Sequence, residues 1–558
     1  MPRYAWTKLL GSVALVLACG AGANAAHAQP PAFQTIDFEG RAKAMVEAAY
    51  PADGPGAAAI VTRGGRVVYS AGRGLADVEG RRPITPDTPF RLGSIVKQFT
   101  AAVVLQLVAE KRVSLDDPVS RFFPDWPRPG ADATVRQLLN HVSGLQDFSK
   151  IPGWIPRNRH RAFTTAELIA VMRDLPARAK PGEKWEYNNG GYVLLGAIVE
   201  KVTGKAWHEA VAQRIAGRLG LRTLAHSLPA GAAALGYGEE GGRQQPVQLS
   251  HMSVAHAAGG LHASVADMAR WAQALHHGRV VSPALYQEMI RPARLADGST
   301  EPYGFGLRLR ELRGRRALVH GGAGGGLDTD SLYIPAEDLF VAVFANSDDP
   351  ATDPGLLTRK LAALALGQPF PELRRVSVVP GSVEPLLGAY TAERGPPLSF
   401  FARDGKLYMG RGEDEMEALP AGGDRFFFGP DQLMWFRILR RPDGAHVMEI
   451  HSAEAAEPKR AVRTGTAPTP LSVAASVLRT YVGTYQTETI AVTVALQGND
   501  RLTLTPAGQR PMPLRPVSET EFRIDGAMRL VFHPGNGKVD RLTLHRGARE
   551  LHGRRIAP

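Results

Sequence analysis

The sequence predicts an α/β domain whose sheet joins both of its own ends around an inserted helical subdomain, followed by two copies of a small β-barrel. Three observations predict it. Strand-rich segments flank a mainly helical middle between residues 57 and 366. The Pro- and Val-rich stretch 367–385 then separates this region from one of short alternating strands and turns. Within that second region Leu387-Gly388-Ala389-Tyr390 recurs as Val482-Gly483-Thr484-Tyr485, an offset of 95. The same offset carries Asp404-Gly405-Lys406-Leu407 onto Asn499-Asp500-Arg501-Leu502, Leu419 onto Leu514 and Phe427 onto Phe522.

Taken in order, the chain opens with a targeting segment. Arg3 and Lys8 give a positive start, residues 9–18 are apolar, and Ala26-His27-Ala28 has the small-x-small form of a cleavage site. A secretory signal peptide over 1–28 is expected, with a secreted or periplasmic product, and it is too short to span a membrane. The rival reading takes Val16-Leu17-Ala18-Cys19 as a lipoprotein signal acylated at Cys19. Residues 29–370 form the first domain. Segments 57–62 and 66–71 read as a hairpin about Arg63-Gly64-Gly65. A helix starts near Ser94 and runs to about Lys111. Helical segments follow at 165–175, 192–202 and 264–275, then strands at 317–322, 330–335 and 339–346, then a helix at 356–366. The repeats place barrel modules at 380–460 and 471–558, each of about eight short strands, with 456–475 as the linker between them.

Composition narrows the chemistry. The chain has 558 residues and one cysteine, Cys19, so a product cleaved after Ala28 has neither disulfides nor thiol catalysis. The net charge is +12, but Arg is interspersed with Asp and Glu and no long basic block occurs, which argues against nucleic acid. Apart from the targeting segment, no long charge-free apolar run suggests a membrane span.

Three segments carry chemistry. In Leu92-Gly93-Ser94-Ile95-Val96-Lys97 a hydroxyl and an amine sit one helical turn apart. Ser94 needs a base to become a nucleophile, and burial or the helix N-terminus would depress the Lys97 amine into that role. The alternative is a solvated helix face, since Ser-x-x-Lys arises by chance about once in a chain this long. Tyr187-Asn188-Asn189 precedes a helix. A phenol beside an ammonium titrates low and can pass a proton to a leaving group, and Asn189 could hold a substrate amide. The alternative is a helix-capping loop. His320-Gly321-Gly322 ends a strand and runs into further glycines. Such an edge admits a substrate, and the Ala323 N–H could join that of Ser94 as an oxyanion hole. The alternative is a plain turn. His141 reads as structural at a helix end, and Trp154 and Trp185 as cleft or core. No H-E-x-x-H, G-x-S-x-G or phosphate loop occurs, and no metal or organic cofactor is implied.

In this order the three motifs resemble those of the β-lactamase/penicillin-binding-protein superfamily, especially its class C-like serine hydrolases. Residues 138–145 (LLNHVSGL), 187–195 (YNNGGYVLL), 257–261 (AAGGL) and 303–307 (YGFGL) extend the resemblance over roughly 40–366. It implies a β-lactamase-like α/β (α+β) fold with an antiparallel sheet and inserted helical subdomain. It implies that Ser94 is acylated, that Lys97 and Tyr187 act as base and acid, that Asn189 binds substrate, and that His320 replaces the lysine of the K-T-G strand. The H-x-G form, followed by two β-barrels, is closest to D-aminopeptidases, in which a barrel loop can narrow the active site. The expected function is therefore an exported serine hydrolase acting through an acyl-enzyme on small peptides or amides containing D-amino acids. Esters come next and β-lactams third. A homodimer is left open. The alternative from another class is a catalytically silent envelope-binding protein.

Overall fold

The computed structural model describes residues 37–557 except 241–242, 349, 351, 378–380, 394–395, 404, 412–413, 467–470, 472, 499–500, 508–510, 526–527, 536–538 and 547–548. The targeting segment with Cys19 lies outside the described residues, as do Asp404, Asn499 and Asp500 of the repeat. The chain divides into two compact units, one up to Pro371 with Ala453–Glu457 added, the other Glu372–Ser452 with Pro458 onward. Among the described residues no helix is long and apolar enough to cross a membrane.

The first unit is built on a six-stranded antiparallel sheet. Its strands are β1 (Ala57–Arg63), β2 (Arg66–Arg73), β3 (Arg308–Leu312), β4 (Arg315–Ala323), β5 (Asp328–Ile334) and β6 (Leu339–Ala345), in the spatial order β3-β4-β5-β6-β1-β2. The β1–β6 pairing, Ala57 opposite Ala345, is what joins the two ends of the domain. β6 is buried at every position, which is why it reads as an unbroken apolar run rather than an alternating one. Helices α1 (Phe38–Ala49), α4 (Val265–His276) and α5 (Pro354–Ala365) pack on it, α4 and α5 both on β6, while α2 (Lys97–Ala109) and α3 (Asn189–Thr203) pack on each other. α2 is apolar on all sides and buried through most of its length, so it forms the centre of the core rather than one wall of it.

The second unit holds both repeats. Eight strands from Gly483 to Ala557 close into a barrel, whereas the first copy forms a nine-stranded sheet that is nearly closed. The open seam of the first copy falls between Asp414–Glu417 and Leu419–Pro420, neighbours in sequence but not hydrogen-bonded. The offset of 95 reappears as shared geometry. Tyr390 donates its hydroxyl to the Leu386 carbonyl and Tyr485 to that of Tyr481, each four residues back, and both rings are fully buried. The expected boundaries need correction. Lys459–Gly465 is a strand, so the first module runs past 460 and 456–475 is not all linker. Ala475–Tyr481 is already a helix of the second copy.

Candidate active site

Ser94 lies in a tight 3₁₀ turn, Gly93–Val96, that leads directly into α2 at Lys97. In that turn residues three apart eclipse, which brings Lys97 Nζ to 3.0 Å from Ser94 Oγ. Lys97 is completely buried. Its Nζ also lies 2.9 Å from Asn189 Oδ1 and 2.9 Å from the Ala258 carbonyl. Burial lowers the amine from its usual range to about 7, helped by the Arg308 guanidinium and opposed by the Asp147 carboxylate. A neutral amine carries two hydrogens and one lone pair. With the hydrogens directed to Asn189 and Ala258, the lone pair faces the Ser94 hydroxyl, the geometry a general base needs.

Tyr187 closes the other side. Its hydroxyl faces Ser94, and its ring centroid lies 4.8 Å from Lys97 Nζ. Burial pushes this phenol above its ordinary range, the reverse of the low titration expected from the sequence. The reason is that the phenol is itself buried, and the cost of desolvating a phenolate outweighs Ser94 and the Arg308 guanidinium, which act the other way. Tyr187 is a proton donor here.

The sheet edge supplies the third wall. Gly93 adopts a left-handed backbone, φ +52°, and lies against β4. A Cβ on Gly322 would sit 2.0 Å from the Leu92 carbonyl and 2.7 Å from Ser94 N, and one on Gly93 would sit 3.0 Å from Ala323 N. Glycine at both positions therefore lets the amides of Ser94 and Ala323 lie side by side. Thr329 Oγ1, 3.1 Å from the Leu92 carbonyl and 2.9 Å from that of Gly322, spans the same junction. β3 begins opposite Val319, so β4 runs on beyond it with a strand partner on the β5 side.

His320 arrives at this site but turns inward. It is buried, its Nδ1–H donates to the Gly321 carbonyl at 2.7 Å, and its Nε2 accepts from the Tyr303 hydroxyl at 2.9 Å. Burial lowers it to about 3, with Lys97 and Arg308 adding to the effect. Both ring nitrogens thus have partners within the protein. Asn189 is engaged in the same way, its amide nitrogen 3.3 Å from Asp147 Oδ2 and 3.1 Å from Ser149 Oγ. His141 does sit just past a helix end, in a left-handed conformation with φ +65°. Its Nδ1 accepts from Asn188 N and its ring packs on Tyr187 at 4.4 Å, so it braces the tyrosine segment. Trp154 is a core residue between Phe148 and Phe163. Trp185 stands at the site, 5.8 Å from Tyr303.

Four participants were not singled out from the sequence: Asp147, Ser149, Tyr303 and Arg308. The Arg308 guanidinium lies 5.5 Å, 5.6 Å and 5.8 Å from the ring centroids of Tyr303, Tyr187 and Trp185. Tyr303 opens the YGFGL segment and Arg308 follows it; Asp147 comes two residues after LLNHVSGL. The signal for them was adjacency to those segments.

D-aminopeptidases of Brucella canis and Brucella ovis are each 31% identical to the chain, over 334 and 336 residues, covering 59% of it. The chain spans 62% of the length of these curated relatives. The octameric penicillin-binding protein homologue of Pyrococcus abyssi matches with TM-score 0.54 and 26% identity, over 77% of this chain and 100% of that one. The D-amino acid amidase of Ochrobactrum anthropi SV3, complexed with L-phenylalanine amide, matches with TM-score 0.51 and 25% identity, over 60% of this chain and 98% of that one. The Beta-lactamase family model matches residues 44–366, more than half of the chain, and the chain belongs to the beta-lactamase family.

Proposed function

We propose that the protein is an exported serine hydrolase that cleaves small amides or peptides of D-amino acids through an acyl-enzyme. The observation that carries the reading is the buried Lys97 Nζ, 3.0 Å from Ser94 Oγ and 2.9 Å from each of two acceptors that can hold its hydrogens, Asn189 Oδ1 and the Ala258 carbonyl. Ser94 Oγ attacks the carbonyl carbon as its proton passes to Lys97. The Ser94 and Ala323 amides take the developing oxyanion. Tyr187 donates a proton to the departing amine and recovers one from Lys97; water then clears the ester by the reverse relay. The D-amino-acid preference is supported by the names of the relatives, a D-aminopeptidase and a D-amino acid amidase.

A second reading is favoured by one observation. Among the described residues Arg308 makes no ion pair, although it faces the site. A substrate bearing a carboxylate, such as a β-lactam, would find a cation there despite the missing K-T-G lysine.

The test is a hydrolysis screen of the protein and S94A across D-aminoacyl amides, p-nitrophenyl esters and nitrocefin, beside labelling with a fluorophosphonate. Turnover of D-aminoacyl amides that disappears with S94A is expected. Brisk nitrocefin turnover that R308Q abolishes would establish the second reading instead. Absence of any Ser94-dependent adduct would make this a binding protein. Export is a further part of the proposal, checked by cell fractionation; light scattering of the purified protein decides whether it forms a homodimer.

A further inference from the structure

Asp147 has no place in the relay described so far, yet its carboxylate is buried at the foot of it. Four donors converge on it. Oδ2 accepts from the Asn189 backbone N–H at 2.9 Å and from the Asn189 amide nitrogen at 3.3 Å. Oδ1 accepts from the Ser149 N–H at 2.9 Å and the Ser149 hydroxyl at 2.7 Å. A carboxylate only accepts, so the end of the Asn189 amide that faces it must be the NH₂. Ser149 has given its own proton to Asp147, so it too can only accept from that NH₂. Asn189 is left with one orientation, its oxygen toward Lys97.

We infer that Asp147 is a positioning residue of the site: by fixing the Asn189 amide it aims the Lys97 lone pair at Ser94 and keeps Asn189 in the service of the base rather than of the substrate. Were the amide to turn over, its NH₂ would point at Lys97 and compete for that lone pair. The same carboxylate acts through charge. The titratable groups facing Lys97 are Tyr187 and Tyr192, with ring centroids 4.8 Å and 5.4 Å from Nζ, the neutral imidazoles of His141 and His320, the Arg308 guanidinium and Asp147. Burial and Arg308 favour the neutral amine, and Asp147 holds its proton affinity up against them.

The inference rests on the proposed base role of Lys97, and its test is read without substrate as well as with it. In the full chain carrying ¹³C-labelled lysine, the Lys97 side-chain resonance, identified by its loss in K97R, is titrated with pH. D147N keeps an oxygen for the Asn189 amide but removes the charge; D147S removes the charge and, with a side chain one bond shorter, draws its oxygen back from that amide. The Lys97 midpoint is expected to fall by about 1 pH unit in either variant. The kcat is expected to fall roughly tenfold further in D147S than in D147N, with KM unchanged, because only D147S frees the amide. An unmoved Lys97 midpoint in a folded variant overturns the inference, whatever happens to turnover. So does failure of both variants to fold, which would make Asp147 a folding residue. A protein whose Ser94 takes up no acylating probe, but whose Lys97 midpoint still moves, would defeat the hydrolase reading and leave the positioning intact.

Discussion

Two corners of the site bury a basic group among the same aromatic rings, and they end in opposite states. At the Lys97 corner the amine lies beside a carboxylate held by four donors, and it keeps a midpoint of about 7. At the His320 corner the imidazole has a phenol and a backbone carbonyl for partners, and burial takes it to about 3. Burial that takes an imidazole out of the neutral range brings an amine into it, because the amine starts higher. Both groups fall by a similar amount, from 10.5 to about 7 and from 6.5 to about 3, and Arg308 lowers both, so the contrast between them is the intrinsic one between an amine and an imidazole; Asp147 opposes the fall at Lys97.

The largest effect that breaks the comparison is removal of one base and then the other. K97M should lower kcat/KM by about 10³-fold or more, whereas H320Q should cost about tenfold or less, both measured on whichever substrate the screen identifies. Equal losses would make His320 a partner in proton transfer. Next comes Y187F, expected to lower kcat by about 10²-fold, with the larger loss on amides than on esters, since a phenolate leaving group needs no proton. R308Q sharpens the contrast through pH. Activity needs neutral Lys97, so kcat/KM should rise with pH through an acid limb near 7. Taking away the guanidinium favours the ammonium and should move that limb upward by roughly half a pH unit or more. A downward move contradicts the assignment.

The smallest effect is on stability. The folded-state midpoint of His320 lies below the unfolded one of about 6.5, so the unfolded chain binds the proton first as pH falls. Its contribution is whole above about 6.5 and is lost as pH falls toward 3. H320Q should therefore lose less stability than the parent between pH 7 and pH 5, by at most about 1.4 kcal/mol per pH unit, read from denaturant unfolding of the first unit.

Much of this was legible in the sequence, for a physical reason. Ser94 and Lys97 are brought together by local helical geometry, and β1, β2 and β6 announce themselves by short apolar runs bounded by turn residues. Asn189, Asp147 and Arg308 act on Lys97 across contacts that only the fold creates; the Lys97–Asn189 pair is separated by 92 residues. Their roles could not be read from spacing. The partners of His320 were not legible because a sequence gives a ring its position on a strand but not the direction of its nitrogens, one of which meets Tyr303. Tyr187 was misjudged because a lysine was counted as a charge before the burial of the phenol was known. The strand Lys459–Gly465 escaped notice because just one of its seven residues, Ala461, is buried, so no alternation shows.

The junction of Gly93 with Gly322 has a further consequence. The strand that presses on the nucleophile turn belongs to the late part of the domain, and it is held in place by β5 and β6, themselves closed onto β1. Loosening that seam by an ångström would part the two amides before any helix melts. Loss of turnover in rising denaturant should thus precede loss of ellipticity, and the enzyme's own activity becomes the most sensitive gauge of whether its first and last strands are still knitted together.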